Sequence, residues 1–273
     1  MEESKLIDIR KLIGSKNPRL LKWIPGFVIN YLKRILHQDE INQFILDHKS
    51  EFDQDFCKAV IDYFNIKVVI NGLENIPKKG PVILAMNHPL GGMDALALVK
   101  ALDGHRNDLI FIVNDLLLHL KNMNGLFVGV NKHGKNQPEV RAQIQQTFES
   151  EKALCIFPAG LVSRKIKGKV EDLLWKKTFI TYGRMLDRAI VPIYIDGELS
   201  NFFYRLANFR KAIGIKANIE MLYLADELFS QRNRTITFTV GKPILANEFM
   251  KGENDIQSAE AFRQLVHTLK PTK

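Results

Sequence analysis

The residue pair best suited to acid–base chemistry in this 273-residue chain is His88 and Asp94. The apolar run at 82–86 predicts a buried strand, the segment Pro89–Gly92 predicts a turn, and the apolar pattern after Asp94 predicts a helix. Asp94 would then lie in a first helical turn, where the helix dipole favours a carboxylate that accepts a hydrogen bond from one imidazole nitrogen. The other nitrogen can then take a proton as a general base. The alternative interpretation is an N-capping aspartate beside a histidine that has no chemical role.

A second segment, residues 153–164, repeats this layout of an apolar run, a turn and polar residues. Phe157, Pro158 and Gly160 form the predicted turn, in which the glycine permits a tight backbone. The chain then continues with three polar or basic residues, Ser163, Arg164 and Lys165. These side chains are of the types that bind an anionic group of a substrate. A solvated loop without a ligand is the alternative interpretation.

Together the two segments resemble the glycerol-phosphate/lysophosphatidate acyltransferase family, the PlsC-like enzymes. Members of that family carry a histidine–aspartate box, a glycine–phenylalanine box, a Phe-Pro-x-Gly box and a Val-Pro-Ile box, in this order. The matching segments of this chain are His88 to Asp94, Gly125 to Phe127, Phe157 to Gly160 and Val191 to Ile193. Their order and rough spacing agree with the family over residues 66–245.

Two departures from the family pattern bear on the acceptor. Five residues separate His88 from Asp94 where the family has four, and Ala159 stands where many members have glutamate. Both features resemble the hemolysin-like or ornithine-lipid-type branch. Where the family often has an arginine for the acceptor phosphate, this chain has Asn131 and Lys132, and lysine lacks the bidentate fork of arginine. An acceptor with a carboxylate, or without a phosphate, therefore fits as well as a phosphate ester.

The resemblance implies an enzyme, an O-acyltransferase similar to the 1-acylglycerol-3-phosphate acyltransferases. It would move a fatty acyl group from an acyl carrier protein or coenzyme A thioester to a lyso-lipid acceptor. The acceptor would be of the lysophosphatidate type or a lyso-amino-acid lipid. The thioester is a cosubstrate, and no resident cofactor is expected. A membrane-associated lipid-binding protein without turnover and a hydrolase that delivers the acyl group to water are the alternatives.

The resemblance also assigns roles to individual residues. His88 is the predicted base and Asp94 the residue that orients it. A covalent acyl-enzyme is not expected, because the chain has no Gly-x-Ser-x-Gly elbow and Cys155 lies in an apolar run. The predicted substrate-binding residues are Asn87, Asn131, Lys132, Phe157, Pro158, Gly160, Ser163, Arg164 and Lys165. No metal is expected, since the other histidines and the two cysteines lack the spacing of a metal site.

The charge distribution favours an anionic membrane surface over nucleic acid as a partner. The net charge is +9, and residues 9–38 contain seven lysines and arginines and no acid. Segment 18–36 mixes large apolar residues with cations and is interrupted at Pro25-Gly26, so two short helical pieces in a headgroup layer are expected. An ordinary amphipathic helix packed on the domain is the alternative. No zinc-finger or RNP-like pattern is present.

Hydropathy argues against an integral membrane protein. The mean hydropathy is −0.10, no stretch approaches the roughly 18 apolar residues of a spanning helix, and the acidic start is unlike a signal peptide. The predicted location is the cytoplasmic face of a membrane, as a peripheral protein without a transmembrane helix.

From residue 66 onward, apolar strands alternate with helical patterns. This order predicts an α/β fold with a mostly parallel sheet flanked by helices, similar to the glycerol-phosphate acyltransferases, and an N-terminal helical extension. The predicted strands are 66–70, 82–86, 109–113, 153–157, 190–195 and 235–240, the last of them an edge strand. The predicted helices are 94–102, 115–121, 138–150, 172–187 and 199–212. The predicted domains are 1–65 (amphipathic helices), 66–245 (acyltransferase) and 246–273 (C-terminal helix or tail).

Overall fold

The computed structural model describes residues 7–114, 120–130 and 138–271 of the chain. The helices are α1 (Ile9–Lys16), α2 (Pro18–Trp23), α3 (Gly26–Ile35), α4 (Gln38–Asp47), α5 (Asp53–Tyr63), α6 (Gly92–Ala101), α7 (Pro138–Glu149), α8 (Thr178–Met185), α9 (Asn201–Ala212), α10 (Leu224–Phe229) and α11 (Asp255–Thr268). The strands are β1 (Lys67–Asn71), β2 (Val82–Met86), β3 (Leu109–Asn114), β4 (Phe127–Val130), β5 (Ala153–Ile156), β6 (Arg164–Ile166), β7 (Lys169–Glu171), β8 (Ala189–Asp196), β9 (Thr235–Val240) and β10 (Ile244–Leu245).

Within the described residues, one mixed sheet has the strand order β1-β9-β8-β2-β5-β3-β4, with β10 beside β8. The run from β8 to β4 is parallel, whereas β9 and β10 are antiparallel to β8. Strands β2 and β5 are buried along their whole length, as continuous apolar runs covered on both faces require. The predicted α/β fold with a mostly parallel sheet is confirmed.

The parallel pairing of β2 with β5 positions the candidate site. Both strands run in one direction, so their carboxyl ends, at Met86 and Ile156, lie at the same edge of the sheet. The two loops that carry His88 and Phe157 therefore leave the sheet side by side. In open α/β sheets this edge is where ligands bind.

Pro192 lies in the middle of β8, although a proline cannot donate a hydrogen bond to a sheet. On one side, Pro192 is paired with Ala85 of the parallel strand β2. On the other side, β10 pairs with residues 189–190 and β9 pairs with 193–196, so Pro192 falls in the gap between the two partners. The missing N–H therefore costs no ladder hydrogen bond on that side.

Strand β9 lies inside the sheet, so the prediction of an edge strand at 235–240 is wrong. It pairs with β1 in parallel and with β8 antiparallel. Its alternating pattern arises because Ile236, Phe238 and Val240 are buried, whereas the threonines between them are only half-buried or exposed. The alternation of apolar residues and threonines in β9 therefore results from unequal burial of the two faces of the strand and does not indicate an edge strand.

The predicted helix at 172–187 begins later than expected. Residues 164–171 form the β6–β7 hairpin, residues 172–176 have no regular structure, and the helix starts only at Thr178. Residues 172–176 are held by side-chain hydrogen bonds to the loop after β2, and this tertiary contact overrides the local helical pattern. The predicted helix at 115–121 lies almost entirely outside the described residues.

The chain divides into two compact units with limits that differ from the predicted domains. The helical unit comprises residues up to Glu51 together with Ser200–Gln231, and the sheet unit comprises Phe52–Leu199 together with Arg232–Lys273. Helix α5, placed by the prediction in the N-terminal extension, belongs to the sheet unit. Helix α11 also belongs to it and buries Phe262 in its core.

The basic segment at 18–36 forms two short helices, as predicted. Helix α2 ends at Trp23 and α3 begins at Gly26, with Pro25 between them. None of the helices in the described parts of the chain is long and apolar enough to cross a membrane.

Candidate active site

His88 and Asp94 form a hydrogen-bonded pair at the carboxyl edge of the sheet. His88 follows β2 by two residues, and Asp94 is the third residue of α6. Between them Gly91 has a φ of 69°, a backbone conformation that other residues rarely adopt. The Nδ1 atom of His88 donates to Oδ2 of Asp94 over 2.9 Å. The histidine side chain is 18% exposed, and Nε2 is the ring nitrogen left for proton transfer.

Asp94 is fully buried, and its charge is held close to the imidazole. Its Oδ2 accepts from both His88 Nδ1 and the Leu90 amide, whereas Oδ1 has no hydrogen-bond partner among the described residues. Burial raises the pKa of Asp94 above its usual value, against the opposing effects of the His88 contact and the Leu90 amide. Few water molecules screen a carboxylate in this buried position, so its electrostatic interactions are stronger than those of an exposed one.

Phe157 fixes the plane of the imidazole. Its ring stacks on His88 with the ring centroids 4.2 Å apart and the planes 26° from parallel. Phe157 follows β5, the parallel neighbour of β2, which explains why residues 69 positions apart meet. We therefore expect the ring of His88 to keep one orientation toward the cleft.

A buried network, of which only Ser163 was a predicted site residue, holds the backbone of His88. Ser163 donates its amide to the His88 carbonyl over 2.8 Å, and the His88 amide donates to Oδ1 of Asp172 over 3.2 Å. Asp172 also accepts from the Ser163 hydroxyl at 2.5 Å and from the indole of Trp175 at 2.9 Å. All three of these partner residues are buried. Sequence analysis missed Asp172 and Trp175. The local sequence offers little to identify them, since it shows only an aspartate three positions before a tryptophan.

The other predicted residues of the second segment lie close to this network. Gly160 has a φ of 67°, which explains a glycine at this point of the turn. The carbonyl of Pro158 accepts from the Lys176 amide over 3.0 Å. A Cβ atom at Gly160 would lie 3.3 Å from Nζ of Lys176, so the ammonium group of this exposed lysine lies over the turn. Lys176 is therefore a cation at the site that was not among the predicted site residues.

The structure gives less support to three of the predicted substrate-binding residues. Asn87 is buried, and its amide both donates to and accepts from the backbone of Ile195, so it fixes β8 to the loop. Arg164 is buried and donates to the backbone carbonyls of Val162 and Ser163. The guanidinium group of Arg164 is therefore buried and bonded within the fold, whereas an anion-binding group would be open to the ligand. Lys165 is half-buried in β6.

Asn131 and Lys132 lie outside the described residues, so their predicted role in acceptor binding stays a prediction. The same holds for the catalytic roles of His88 and Asp94, although the predicted contact between them is present.

A match to the family model described as acyltransferase covers residues 11–272. The chain belongs to this acyltransferase family. It is 44% identical over 265 residues to the lyso-glycine lipid O-acyltransferase of Bacteroides thetaiotaomicron, covering 97% of each protein. It is 43% identical to the lyso-glycine lipid O-acyltransferase of Phocaeicola vulgatus, covering 97% of this chain and 95% of that protein. A solved structure, the 1-acyl-sn-glycerophosphate acyltransferase PlsC from Thermotoga maritima, matches with a TM-score of 0.47 and 17% identity over 90% of this chain and 94% of that chain.

The cysteines of the acyltransferase are poor nucleophiles. Cys57 and Cys155 are both fully buried. Burial raises the pKa of Cys57 to about 12 and raises the pKa of Cys155 further. Because the thiolate is the reactive form, neither residue is suited to carry the acyl group at neutral pH. Among the residues described, no three histidines, cysteines, aspartates or glutamates are grouped as a metal would need.

We expect Asp172→Asn to lower kcat of the acyltransferase about tenfold to a hundredfold with little change in KM. The amide nitrogen cannot accept from the indole of Trp175, so the contact that holds the His88 backbone is disturbed, and a misplacement of about 1 Å can cost about 10²-fold in rate. Adding Trp175→Phe removes the competing donor and should restore part of the rate. Steady-state kinetics of the single and double variants measure both effects.

Glu227→Gln is the matched control for Asp172→Asn. Glu227 is a buried carboxylate of the helical unit that accepts from the amide of Ser200 over 2.7 Å and from its hydroxyl. Its loss should lower the free energy of unfolding without changing kcat. An equal kcat loss in both variants, or no recovery on adding Trp175→Phe, would show that Asp172 does not position His88 in this way.

Proposed function

We propose that this acyltransferase transfers a fatty acyl group from a thioester to the hydroxyl of a lyso-lipid, with His88 as the general base. The observation that carries the catalytic part is the buried Asp94 carboxylate bonded at 2.9 Å to the half-buried imidazole. The acceptor class is supported by the two relatives described as lyso-glycine lipid O-acyltransferases, which match over nearly the full length of this chain. A lyso-amino-acid lipid of the glycine type is therefore the proposed acceptor, ahead of lysophosphatidate.

In the proposed reaction the acyl group passes directly between the two substrates. The acceptor hydroxyl gives its proton to Nε2 of His88 while its oxygen attacks the carbonyl carbon of the thioester. The tetrahedral intermediate then collapses, the carbon–sulfur bond breaks, and the imidazolium returns the proton to the departing thiolate. Asp94 stabilises the imidazolium between these two steps. One thioester and one alcohol thus become one ester and one thiol.

The acyl donor in this proposal is an acyl carrier protein or coenzyme A thioester. Both carry the same phosphopantetheine arm, whose phosphate is anionic. Lys176 at the Phe157–Gly160 turn and the lysines of the β6–β7 hairpin supply positive charge beside the loop that holds His88. Such cations can attract the donor arm or an anionic group of the acceptor.

We further propose that the enzyme acts at the cytoplasmic face of a membrane, as a peripheral protein on anionic lipid. The support is the exposure of large apolar residues in the basic segment at 18–36. Trp23 is 85% exposed and Phe27 is 75% exposed, so these side chains are not used to pack the fold. Aromatic side chains beside lysines and arginines are typical of helices that lie in the headgroup layer.

The proposed function is tested with purified protein, radiolabelled acyl carrier protein and coenzyme A thioesters, and separate lyso-lipid acceptors. The expected product is an O-acylated lyso-glycine lipid, formed only when donor and acceptor are both present, with lysophosphatidate used more slowly. Release of free fatty acid without acceptor dependence would instead show a hydrolase. Tight liposome binding with no product from any acceptor would show a lipid-binding protein.

A further inference from the structure

Helix α9 presents an apolar stripe that the fold leaves uncovered. Phe202, Phe209 and Ile213, the residue that caps the helix, are 52%, 62% and 54% exposed. Phe209 and Ile213 follow Phe202 by seven and eleven positions. At 100° per residue, both therefore lie within about 20° of a line drawn along the helix through Phe202. The stripe is about 16 Å long, at 1.5 Å per residue.

The stripe is separate from the apolar residues by which α9 packs. Phe203, Tyr204 and Ala207 are the buried residues of this helix. A surface helix in water normally shows one apolar face and one polar face. Helix α9 has a second apolar face whose side chains are more than half exposed, and exposed apolar stripes of this kind mark interaction sites.

The charges carried by α9 and the segment that follows it are of one sign. No acidic residue occurs from Ser200 to Ile219, whereas the same segment contains four bases, Arg205, Arg210, Lys211 and Lys216. The guanidinium of Arg210 is engaged by the buried carboxylate of Glu220. Arg205, about 60° from the stripe around the helix, and Lys216 are exposed, whereas Lys211 lies on the opposite side of the helix. Cations beside an apolar stripe, in a segment without acids, complement an anionic lipid surface.

The stripe continues onto helix α3 of the same compact unit. The hydroxyl groups of Tyr31 and Tyr223 are 2.7 Å apart, and Tyr223 packs edge-on against Phe202 with the ring centroids 4.9 Å apart. Phe27 lies one helical turn before Tyr31 on α3. Two helices far apart in sequence thus contribute exposed aromatic residues to one surface of the helical unit.

We infer that the α9 face, defined by Phe202, Phe209, Ile213, Arg205 and Lys216, docks on an anionic lipid bilayer. The inference rests on the proposed function in one respect, that the acceptor is a lipid. A bilayer fits this face because it accepts apolar side chains along a line and binds cations beside them, without needing specific polar partners. Insertion of the three apolar side chains would hold the helical unit on the membrane from which the acceptor is drawn.

The test compares binding of full-length variants to vesicles of phosphatidylcholine with 30% phosphatidylglycerol and to vesicles of phosphatidylcholine alone. Phe209→Glu/Ile213→Glu should lower the partition coefficient for the anionic vesicles about tenfold or more, because two apolar side chains are replaced by anions. Arg205→Glu/Lys216→Glu should weaken binding to the anionic vesicles and leave binding to the neutral vesicles nearly unchanged. Circular dichroism of each variant checks that the fold is retained.

Met185→Glu/Ile256→Glu is the matched control, because both residues are exposed apolar residues of helices in the sheet unit, 61% and 66% exposed. Binding of this control should stay within twofold of wild type. An α9 variant that binds vesicles as well as wild type would overturn the inference. A change from dimer to monomer in light scattering, or weaker binding of acyl carrier protein, with vesicle binding unchanged would also overturn it and identify a protein as the occupant.

Activity measurements separate this inference from the proposed function. With a short-chain acceptor dispersed as monomers, Phe209→Glu/Ile213→Glu should transfer acyl groups at the wild-type rate. With the acceptor embedded in anionic vesicles, its rate should fall in proportion to binding. A wild-type protein that binds vesicles through this face but transfers no acyl group would overturn the proposed function and support the inference.

Discussion

His88→Ala is expected to lower kcat by about 10²–10⁴-fold, the usual effect of removing a general base. The imidazole is partly exposed at the edge of the sheet, so the variant should keep the native circular dichroism spectrum, with a melting temperature lowered by the loss of the partner of Asp94. Initial rates with a lyso-glycine acceptor and the thioester donor measure the effect.

His48→Ala is the matched control for His88→Ala. His48 also bonds a carboxylate through Nδ1, that of Glu51 at 3.0 Å, but it lies in the helical unit. This variant should keep the wild-type rate. Comparable kcat values for purified His88→Ala and His48→Ala would exclude His88 as the base.

Asp94→Asn is expected to lower kcat by a similar factor while raising the melting temperature. The amide can neither carry the charge that stabilises an imidazolium nor fix the tautomer of His88. The same change removes a buried carboxylate whose pKa is raised chiefly by desolvation. In the proposed mechanism, the charge that favours catalysis is therefore one that disfavours folding.

The raised pKa of Asp94 also predicts how the contribution of this carboxylate to the stability of the protein changes with pH. Because the pKa of Asp94 in the folded protein lies above its ordinary value of 3.8, the folded state holds more protons than the unfolded state between those two values. The contribution of Asp94 to stability therefore falls as the pH rises through that window. Denaturant unfolding should show the stability gain of Asp94→Asn growing from pH 3.8 upward and then levelling off. A wild-type protein more stable than the variant at neutral pH would contradict this account.

Local sequence patterns were sufficient to predict the elements that position His88 and Asp94. The apolar run of β2, the glycine turn and the start of α6 are adjacent in the chain, so their order alone predicts where both side chains lie. The stacking of Phe157 on His88 was not predicted, since it depends on the pairing of β2 with β5, which joins residues far apart in sequence.

The network around Asp172 could not be predicted from local patterns. Asp172 contacts His88 across 84 positions, and residues 172–176 carry a helical pattern that the structure does not follow. The exposed stripe of α9 was hidden for a related reason. Residues 202–204 are all aromatic, so the sequence shows an apolar helix but not which of its faces the fold leaves uncovered.

The role of His88 is tested most directly by chemical rescue of a His88→Gly variant with added imidazole. We expect acyl transfer by this variant to be nearly absent and to rise with imidazole concentration until it saturates, because free imidazole can occupy the space beside Phe157 and Asp94 and accept the proton. Wild type should show no such rise. Near-wild-type transfer by His88→Gly without imidazole would contradict the assignment of His88 as the base.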